Sequence, residues 1–324
     1  MTDECEVAKG TGMFRHPSPA PILATALAIG MLSLMDAYMK EAALLAGALM
    51  ASFVRNVAGV SITAPIWLAT GRGRPTPEAM RVHILRGTVS AFMMTTFFFA
   101  LTRLRLAEAI AISFIAPVVA LFLARWMLGE DVGKRAFLGA GMCVIGMAVI
   151  VAGRLSNEAM DAHNWVGLAS LVLSAVLYAF NLVLQRRQAL LARPVEIALF
   201  QNLIVSMVLG CCVLTALALR ETLWAGLPAL LELPQEAALW PIAASALLSI
   251  SAQLLLSWSY ARAEAQVLVP MEYSGLVWAA LFGWLFFGEL VTPAVVGGAA
   301  LIVAGCWIAA LRRSKGPVSE QTAL

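Results

Sequence analysis

Ten apolar segments, each about as long as a lipid bilayer is thick, make up most of the chain. A helix that crosses the hydrocarbon core needs about 20 mostly apolar residues, because each residue adds about 1.5 Å to its length. The connections are too short to hold a further folded domain. The sequence therefore predicts an all-α membrane protein with ten transmembrane helices, at residues 21–39, 47–69, 83–101, 107–128, 136–153, 165–184, 195–219, 239–259, 266–287 and 293–311.

The composition supports this assignment. Of the 324 residues, 61% are hydrophobic and 13% are charged, whereas a soluble domain has about 45 to 50% apolar and about 25% charged residues. The formal net charge of +3 is too small to predict a nucleic-acid-binding surface. With five Cys, three His and no CxxC pair, the sequence predicts no metal site, disulfide framework or cofactor.

The Lys and Arg residues predict the orientation of the chain, because cytoplasmic loops are enriched in both. If the N-terminus is cytoplasmic, 15 of the 22 basic residues fall on that side and 5 on the other, while Arg55 and Arg86 lie within predicted helices. We therefore expect a multi-pass protein of the bacterial inner membrane with both termini in the cytoplasm. Residues 1–20 are predicted as a disordered cytoplasmic tail, and residues 312–324 as a basic cytoplasmic tail.

The sequence contains one unit twice. Residues 122–146, FLARWMLGEDVGKRAFLGAGMCVIG, match residues 281–305, LFGWLFFGELVTPAVVGGAALIVAG, at an offset of 159. The match predicts two five-helix repeats, at residues 21–154 and 165–311. Because five is odd, the second repeat enters the membrane in the opposite sense, which is typical of transporters. The identical pairs are Gly129/Gly288, Glu130/Glu289, Gly139/Gly298, Ala140/Ala299 and Gly146/Gly305.

Two tandem halves that each end in an apolar helix, a Gly-Glu pair and a Gly-rich helix resemble the EamA family of the drug/metabolite transporter superfamily. The resemblance covers nearly the whole membrane part, and it implies a ten-helix carrier with a central cavity that moves small organic metabolites. Members of that family export amino acids or carry riboflavin or S-adenosylmethionine. The family has no universal substrate-binding motif, so the resemblance assigns no site residue.

The residues that identify the repeat most clearly, its glycines and the two glutamates, are predicted to have structural roles. Small residues let helix backbones approach closely in lipid, so the Gly-rich helices are expected to pack against neighbours. Glu130 and Glu289 lie between two helices, where each carboxylate is expected to cap the positive N-terminal end of the following helix.

Polar side chains recur at helical spacing in several apolar segments. Polar groups facing lipid are unfavourable, so such a stripe predicts which face of a helix looks inward. The stripes favour a shared wet chamber, and the alternative is that Asn and Gln bridge helices while Ser and Thr bond their own backbone. The candidates for lining the chamber are Tyr178, Asn181, Asn202, Gln253 and Tyr260.

Glu272 is the sharpest candidate, because an intramembrane charge costs about 2.5 to 3.5 kcal/mol on insertion scales. Its counterpart in the first repeat is Ser113, so the repeat itself does not require an acid there. We hypothesise that Glu272 faces the chamber and binds a cationic group of the substrate or exchanges protons. The alternative is a buried ion pair with Arg55 or Arg86.

For the remaining candidates the sequence leaves open whether they contact the substrate or have a structural role. Asp36, Arg55 and Arg86 lie inside predicted helices, where Asp36 and Arg55 either contact the substrate or pair with each other across helices. Tyr273 and Trp278 either stack on a flat ring of the substrate or fill volume between helices.

Together these features predict a secondary transporter that alternates access by rocking one five-helix repeat against the other. The expected partners are a small-molecule substrate, the lipid bilayer and protons, with no nucleic acid, and the chain is expected as a monomer or homodimer. The cargo is expected to be amino-acid-like, nucleoside-like or flavin-like. The alternatives are a membrane-embedded acyl or lipid transferase and a non-transporting membrane subunit. Catalysis is not expected, because no nucleophile and base are brought together by the sequence.

Overall fold

The computed structural model describes residues 19–70, 75–116, 118–120, 122–123, 134–157, 162–218, 236–260, 262 and 271–310. This part of the chain consists of helices and their connections, with no strand among the described residues. Each helix overlaps one of the predicted apolar segments. The helices are α1 (Pro19–Ala46), α2 (Ala48–Ala69), α3 (Pro77–Leu101), α4 (Leu106–Ser113), α5 (Lys134–Asn157), α6 (Ala162–Leu191), α7 (Pro194–Ala218), α8 (Glu236–Tyr260), α9 (Gly275–Phe287) and α10 (Pro293–Ala310).

The length of the apolar stretch differs between helices in a regular order. Within the described residues, α1, α2, α3, α6, α7 and α8 are long and apolar enough to cross a bilayer, whereas α4, α5, α9 and α10 carry shorter apolar stretches. Three helices with a long apolar stretch followed by two with a shorter one therefore occur in both halves. Large apolar side chains, Leu214, Trp240 and Val277 among them, are exposed on the described surface, which is the exterior expected for lipid contact.

Two predicted helices are interrupted. The segment predicted as one helix at 107–128 forms α4 and then a turn at Phe114–Ile115, because Pro117 has no N–H to continue the helical hydrogen bonds at the end of α4. The segment predicted at 266–287 has a turn at Tyr273–Ser274, and α9 begins only at Gly275. Glu272 is a helical residue directly before this turn. At the repeat offset of 159, the two turns occupy equivalent positions.

The largest helix interfaces join the two halves of the chain: α5 with α10, α1 with α8, α3 with α6, and α2 with α7. Between α5 and α10 the backbones touch at glycines. A Cβ at Gly146 would lie 2.5 Å from Gly298 O, and a Cβ at Gly305 would lie 2.6 Å from Gly139 O. The predicted packing role of the Gly-rich helices is therefore confirmed at these positions.

The direction of this pairing follows from the same contacts. Gly139 faces Gly305 while Gly146 faces Gly298, so the residue number rises along one helix as it falls along the other, and α5 and α10 are antiparallel. Gly139 and Gly298 are equivalent positions in the repeat, as are Gly146 and Gly305. Each of the two contacts is therefore the image of the other under exchange of the halves.

Candidate functional site

One polar cluster lies where α1 and α3 end, and we call it the Lys40–Glu289 junction. Lys40 Nζ forms an ion pair with Glu289 Oε1 and donates a hydrogen bond to Leu104 O at 2.8 Å. Glu289 Oε2 accepts a hydrogen bond at 2.7 Å from the backbone N–H of Leu106, the first residue of α4. Both charged groups are thus fully engaged by partners from three segments of the chain.

This geometry confirms a structural role for Glu289 but corrects the predicted partner. The sequence suggested that the carboxylate caps the following helix, α10, whereas its hydrogen bond goes to the start of α4. The N-terminus of α4 offers free N–H groups and the positive end of a helix dipole, which suit a carboxylate. The equivalent Glu130 lies outside the described residues.

A second cluster holds Arg86 between helices α3 and α6. Arg86 Nε donates to Asn181 Oδ1 at 2.8 Å, and Ser90 Oγ donates to the same oxygen at 3.2 Å. The guanidinium also hydrogen-bonds Gln188 Oε1. Arg86, Ser90, Asn181 and Gln188 are all buried. We call these four residues the amide network, because the arginine is held by neutral side chains and, among the described residues, makes no ion pair with a carboxylate.

The amide network continues towards the start of α3. Gln188 Nε2 contacts His83 Nδ1, and His83 Nε2 lies 3.2 Å from Glu196 Oε1. The His83 ring also stacks on Phe200, with ring centroids 5.1 Å apart. Polar contacts therefore link α3, α6 and α7 at this end of the bundle, whereas the Lys40–Glu289 junction lies at the opposite end of α3.

Arg55, on α2, has a different environment. Only 8% of its surface is exposed, and its Nη1 lies 3.4 Å from the sulfur of Met94. Its Nε has no hydrogen-bond partner in the described part of the chain. Asp36, on α1, is close enough for its charge to act on Arg55, but the two do not form a contact ion pair among the described residues. Asp36 and Arg55, which the sequence suggested as a cross-helix ion pair, therefore attract each other without direct contact.

Tyr178, on α6, has its hydroxyl near several of the charged side chains described above. The charges of Glu272, Asp36 and Arg86 all act on its hydroxyl, so it lies near charged side chains from three other helical segments. In addition, 37% of its surface is exposed. Exposure beside charges of several helices is what we expect of a side chain that lines a space between them. Glu272 is itself exposed and is also close to Tyr273.

The two aromatic candidates beside Glu272 pack against protein. The Tyr273 ring meets Phe114 edge to face, with centroids 5.5 Å apart. Trp278 stacks on Phe282 with centroids 5.9 Å apart. A Cβ at Gly30 would lie 3.0 Å from Trp278 Cε2, so the indole packs closely against α1 at Gly30.

The other predicted lining residues are spread over α7 and α8. Asn202 lies against α2, where a Cβ at Gly59 would be 2.5 Å from its Oδ1, and its Nδ2 donates to Ala198 O at 2.9 Å. Gln253 is exposed on α8. Tyr260 is the last residue of α8, and its side chain lies outside the description. The structure therefore brings Asp36, Arg55, Arg86, Tyr178 and Glu272 into one electrostatic neighbourhood and places Asn202, Tyr273 and Trp278 in helix contacts.

Sequence reasoning missed Gln188 and Lys40 as site-forming residues. Gln188 is fully buried, and it continues the polar stripe of α6 at a three-residue step from Gln185, so the helical spacing carried a usable signal. Lys40 lies on the polar face of the first predicted helix, next to Asp36 in the stripe, but its partner Glu289 is 249 residues away. No local pattern connects residues so far apart.

An apolar exterior around a centre that contains buried and partly exposed charges defines a multi-pass helical membrane protein with an internal polar site. The sequence profile of the EamA-like transporter family matches residues 20–152 and again residues 165–311. The chain therefore belongs to the EamA-like transporter family.

Characterised relatives agree with this class. The chain is 25% identical over 296 residues to a pseudopaline exporter of Pseudomonas aeruginosa, covering 91% of this chain and 97% of the relative. It is 26% identical over 221 residues to a riboflavin transporter of Rhizobium johnstonii, covering 68% and 67%. A solved crystal structure superposes with a TM-score of 0.59 and 18% identity over 90% of this chain and 96% of the other, which supports the fold alone. The protein is a membrane transporter.

Proposed function

We propose that this protein is a secondary transporter of a small organic metabolite, amino-acid-like, nucleoside-like or flavin-like, in the bacterial inner membrane. The observation that carries the proposal is the group of Asp36, Arg55, Arg86 and Tyr178 at the centre of helices with an apolar exterior. Such charges are expensive in a membrane and mark substrate or ion pathways. Relatives named as an exporter of pseudopaline and as a transporter of riboflavin support a small-molecule cargo.

The proposed architecture is a pair of inverted five-helix repeats, at 21–154 and 165–311, with both tails in the cytoplasm. Three observations support it: the family profile matches twice, helices with long and with shorter apolar stretches follow the same order in each half, and the equivalent helices α5 and α10 pack antiparallel. A two-fold axis along the membrane normal would make equivalent helices parallel, so antiparallel pairing favours an axis in the membrane plane. Labelling of single Cys residues from each side of the membrane tests the orientation of every loop.

The parts that move are proposed to differ from the two sequence repeats. Rocking one repeat against the other would disrupt the α1–α8, α3–α6 and α2–α7 interfaces together, and these are more extensive than the contacts of α1 with α2 or α2 with α3. We therefore propose that α1 moves with α8, and α3 with α6. A disulfide engineered between α1 and α8 should leave transport intact, whereas one that links α1 to α3 should block it.

Proton coupling through Glu272 is the part of the proposal that rests on one residue. Glu272 is exposed and its charge reaches Tyr178, which supports a position facing the central space. In proteoliposomes, Glu272→Gln should retain folding and lose the pH dependence of transport. An unchanged pH profile in well-folded protein would exclude this coupling.

Counterflow in proteoliposomes tests the function itself. Purified protein is reconstituted with each of a panel of unlabelled amino acids, nucleosides or riboflavin inside the vesicles, and uptake of the labelled compound is measured. We expect exchange of at least one compound, without ATP. If no compound on a broad metabolite panel exchanges, the transport proposal fails.

A further inference from the structure

Asp36 and Arg55 together, we propose, clamp the zwitterionic head of an amino-acid-type substrate, with the substrate carboxylate on Arg55 and its ammonium on Asp36. This inference rests on the proposed transport function and names the substrate class. It is carried by the juxtaposition of a buried guanidinium that has an unused N–H with an acid that attracts it but does not touch it.

Arg55 has hydrogen-bonding capacity that the described part of the chain does not use. A guanidinium has five N–H donors and no acceptor. Arg55 is more than nine-tenths buried, yet its Nε has no partner and its Nη1 meets only a thioether sulfur within the described chain. Buried polar groups are nearly always satisfied, so such an exception needs a physical explanation. A carboxylate is the ligand that a guanidinium binds best, through two parallel hydrogen bonds.

Asp36 as a whole is partly exposed, but its carboxyl group is desolvated by the surrounding helices. Among the described residues it forms no hydrogen bond or ion pair, while its charge acts on Arg55 and Tyr178. A permanent salt bridge would have closed the gap to Arg55, because two opposite charges in a poorly polar medium attract strongly. An α-amino acid carries its ammonium and carboxylate on one carbon, so a single head group can neutralise both side chains.

Arg55 and Arg86 differ in how many of their N–H groups already have oxygen partners. Arg86 is held by Asn181 and Gln188, so two of its nitrogens already have oxygen partners. Its charge supports the field at the centre, but its Nε and one N–H of Nη1 are already used by these side chains. Of the two arginines, Arg55 therefore has the larger capacity left for a ligand.

The repeat gives an independent reason to reject a scaffold role. Near the start of the two repeats the equivalent positions are 146 residues apart, since Arg55-Asn56 falls on Gln201-Asn202. At this offset the position of Arg55 corresponds to Gln201 and that of Asp36 to Leu182. A charge pair needed to hold the fold together would be expected in both halves, as the Gly-rich helices are. The clamp is instead confined to one half, which is typical of a site that is specific for a substrate.

The test compares head groups on a constant side chain. The purified protein is titrated with three sets of probes, each with a zwitterion, the matching amine and the matching acid: phenylalanine, 2-phenylethylamine and 3-phenylpropionate; histidine, histamine and imidazolepropionate; leucine, isopentylamine and 4-methylpentanoate. Thermal stability reports binding. We expect at least one zwitterion to stabilise the protein at about tenfold lower concentration than either single-charge analogue, because each lost charged hydrogen bond weakens binding by about that factor or more.

Variants assign the effect to the clamp. Arg55→Gln and Asp36→Asn should each remove the preference for the zwitterion, while Arg55→Lys should retain part of it. The matched control is Arg187→Gln, which removes the same charge from an exposed ion pair with Glu78 and should bind like the wild type. The comparison of probes on the wild-type protein needs no variant, so a variant that misfolds does not decide the outcome.

Three results would overturn the clamp: no zwitterion outperforming its analogues, a folded Arg55→Gln variant that binds zwitterions as the wild type does, or counterflow of cargo that lacks a zwitterionic head at equal efficiency. In the last case the transport proposal stands and only the substrate class is wrong. Absence of exchange of any cargo in the same vesicles contradicts the proposed function instead, so the two failures are distinguishable.

Discussion

The Lys40–Glu289 junction and the Asp36–Arg55 clamp each set a basic residue of one helix near an acid of another segment, with opposite results. At the junction, the two charges touch, and the backbone groups of Leu104 and Leu106 complete their hydrogen bonds. At the clamp, the two charges attract each other without contact, and Arg55 Nε has no partner in the described chain.

The difference teaches how to tell a structural charge from a functional one. Both pairs bear the cost of removing charge from water, so burial alone does not separate them. What separates them is saturation of hydrogen bonds. A saturated pair has nothing left to offer a ligand, whereas an unsaturated pair is tolerated only if something else completes it during the working cycle.

The largest expected effect is the loss of folding stability at the junction. Lys40→Met leaves Glu289, whose side chain is only 15% exposed, without its cation, and breaking a buried ion pair in this way costs about 3 to 5 kcal/mol. Thermal unfolding in detergent should show a strongly lowered midpoint, and the double variant Lys40→Met/Glu289→Gln should recover part of the loss. A folded Lys40→Met protein with an unchanged midpoint would remove the distinction between the two pairs.

A smaller loss of stability is expected where α5 meets α10. Gly146→Ala places a Cβ 2.5 Å from the backbone oxygen of Gly298, and overpacking of this kind costs about 1 to 3 kcal/mol. Gly141→Ala on the same helix is the control, since no described atom lies within 4 Å of its Cβ position. This interface is structural, like the junction, so substrate preference should stay unchanged in any Gly146→Ala protein that folds. Equal midpoints for the two variants would contradict the close approach.

At the clamp, stability and transport should respond in opposite ways. Asp36→Asn removes a desolvated charge that forms no hydrogen bond among the described residues, so the unfolding midpoint should stay unchanged or rise, as often found when active-site groups are replaced. Transport of zwitterionic cargo should fall by about tenfold. Counterflow normalised to the amount of folded protein measures this. A fall in stability as large as that of Lys40→Met would make Asp36 a structural residue.

The sequence was informative about local features and much less so about partners. Apolar length predicted a helix at each of the ten segments, and helical spacing placed Asn181 on the face where Arg86 meets it. The interruption at Phe114–Ile115 was missed although Pro117 was visible, because the apolar run continues through it. Which charges form contact ion pairs could not be predicted. A pattern of residue types does not encode whether two charged residues on different helices lie in contact or are a few ångströms too far apart for a hydrogen bond.

The smallest effect is expected from Asn181→Asp, which gives Arg86 the carboxylate that the amide network lacks. The new side chain has nearly the same shape and still accepts hydrogen bonds from Arg86 and Ser90 at the same oxygen, so the midpoint should be unchanged or slightly higher. If Arg55 alone binds the substrate carboxylate, affinity for a zwitterionic probe should change by less than about threefold, because neutralising Arg86 alters only the field at a distance. Titration by thermal stability measures this against Arg55→Gln. A loss in Asn181→Asp as large as in Arg55→Gln would mean that Arg86 binds the substrate carboxylate as well, and that saturation by amides does not exclude an arginine from the site.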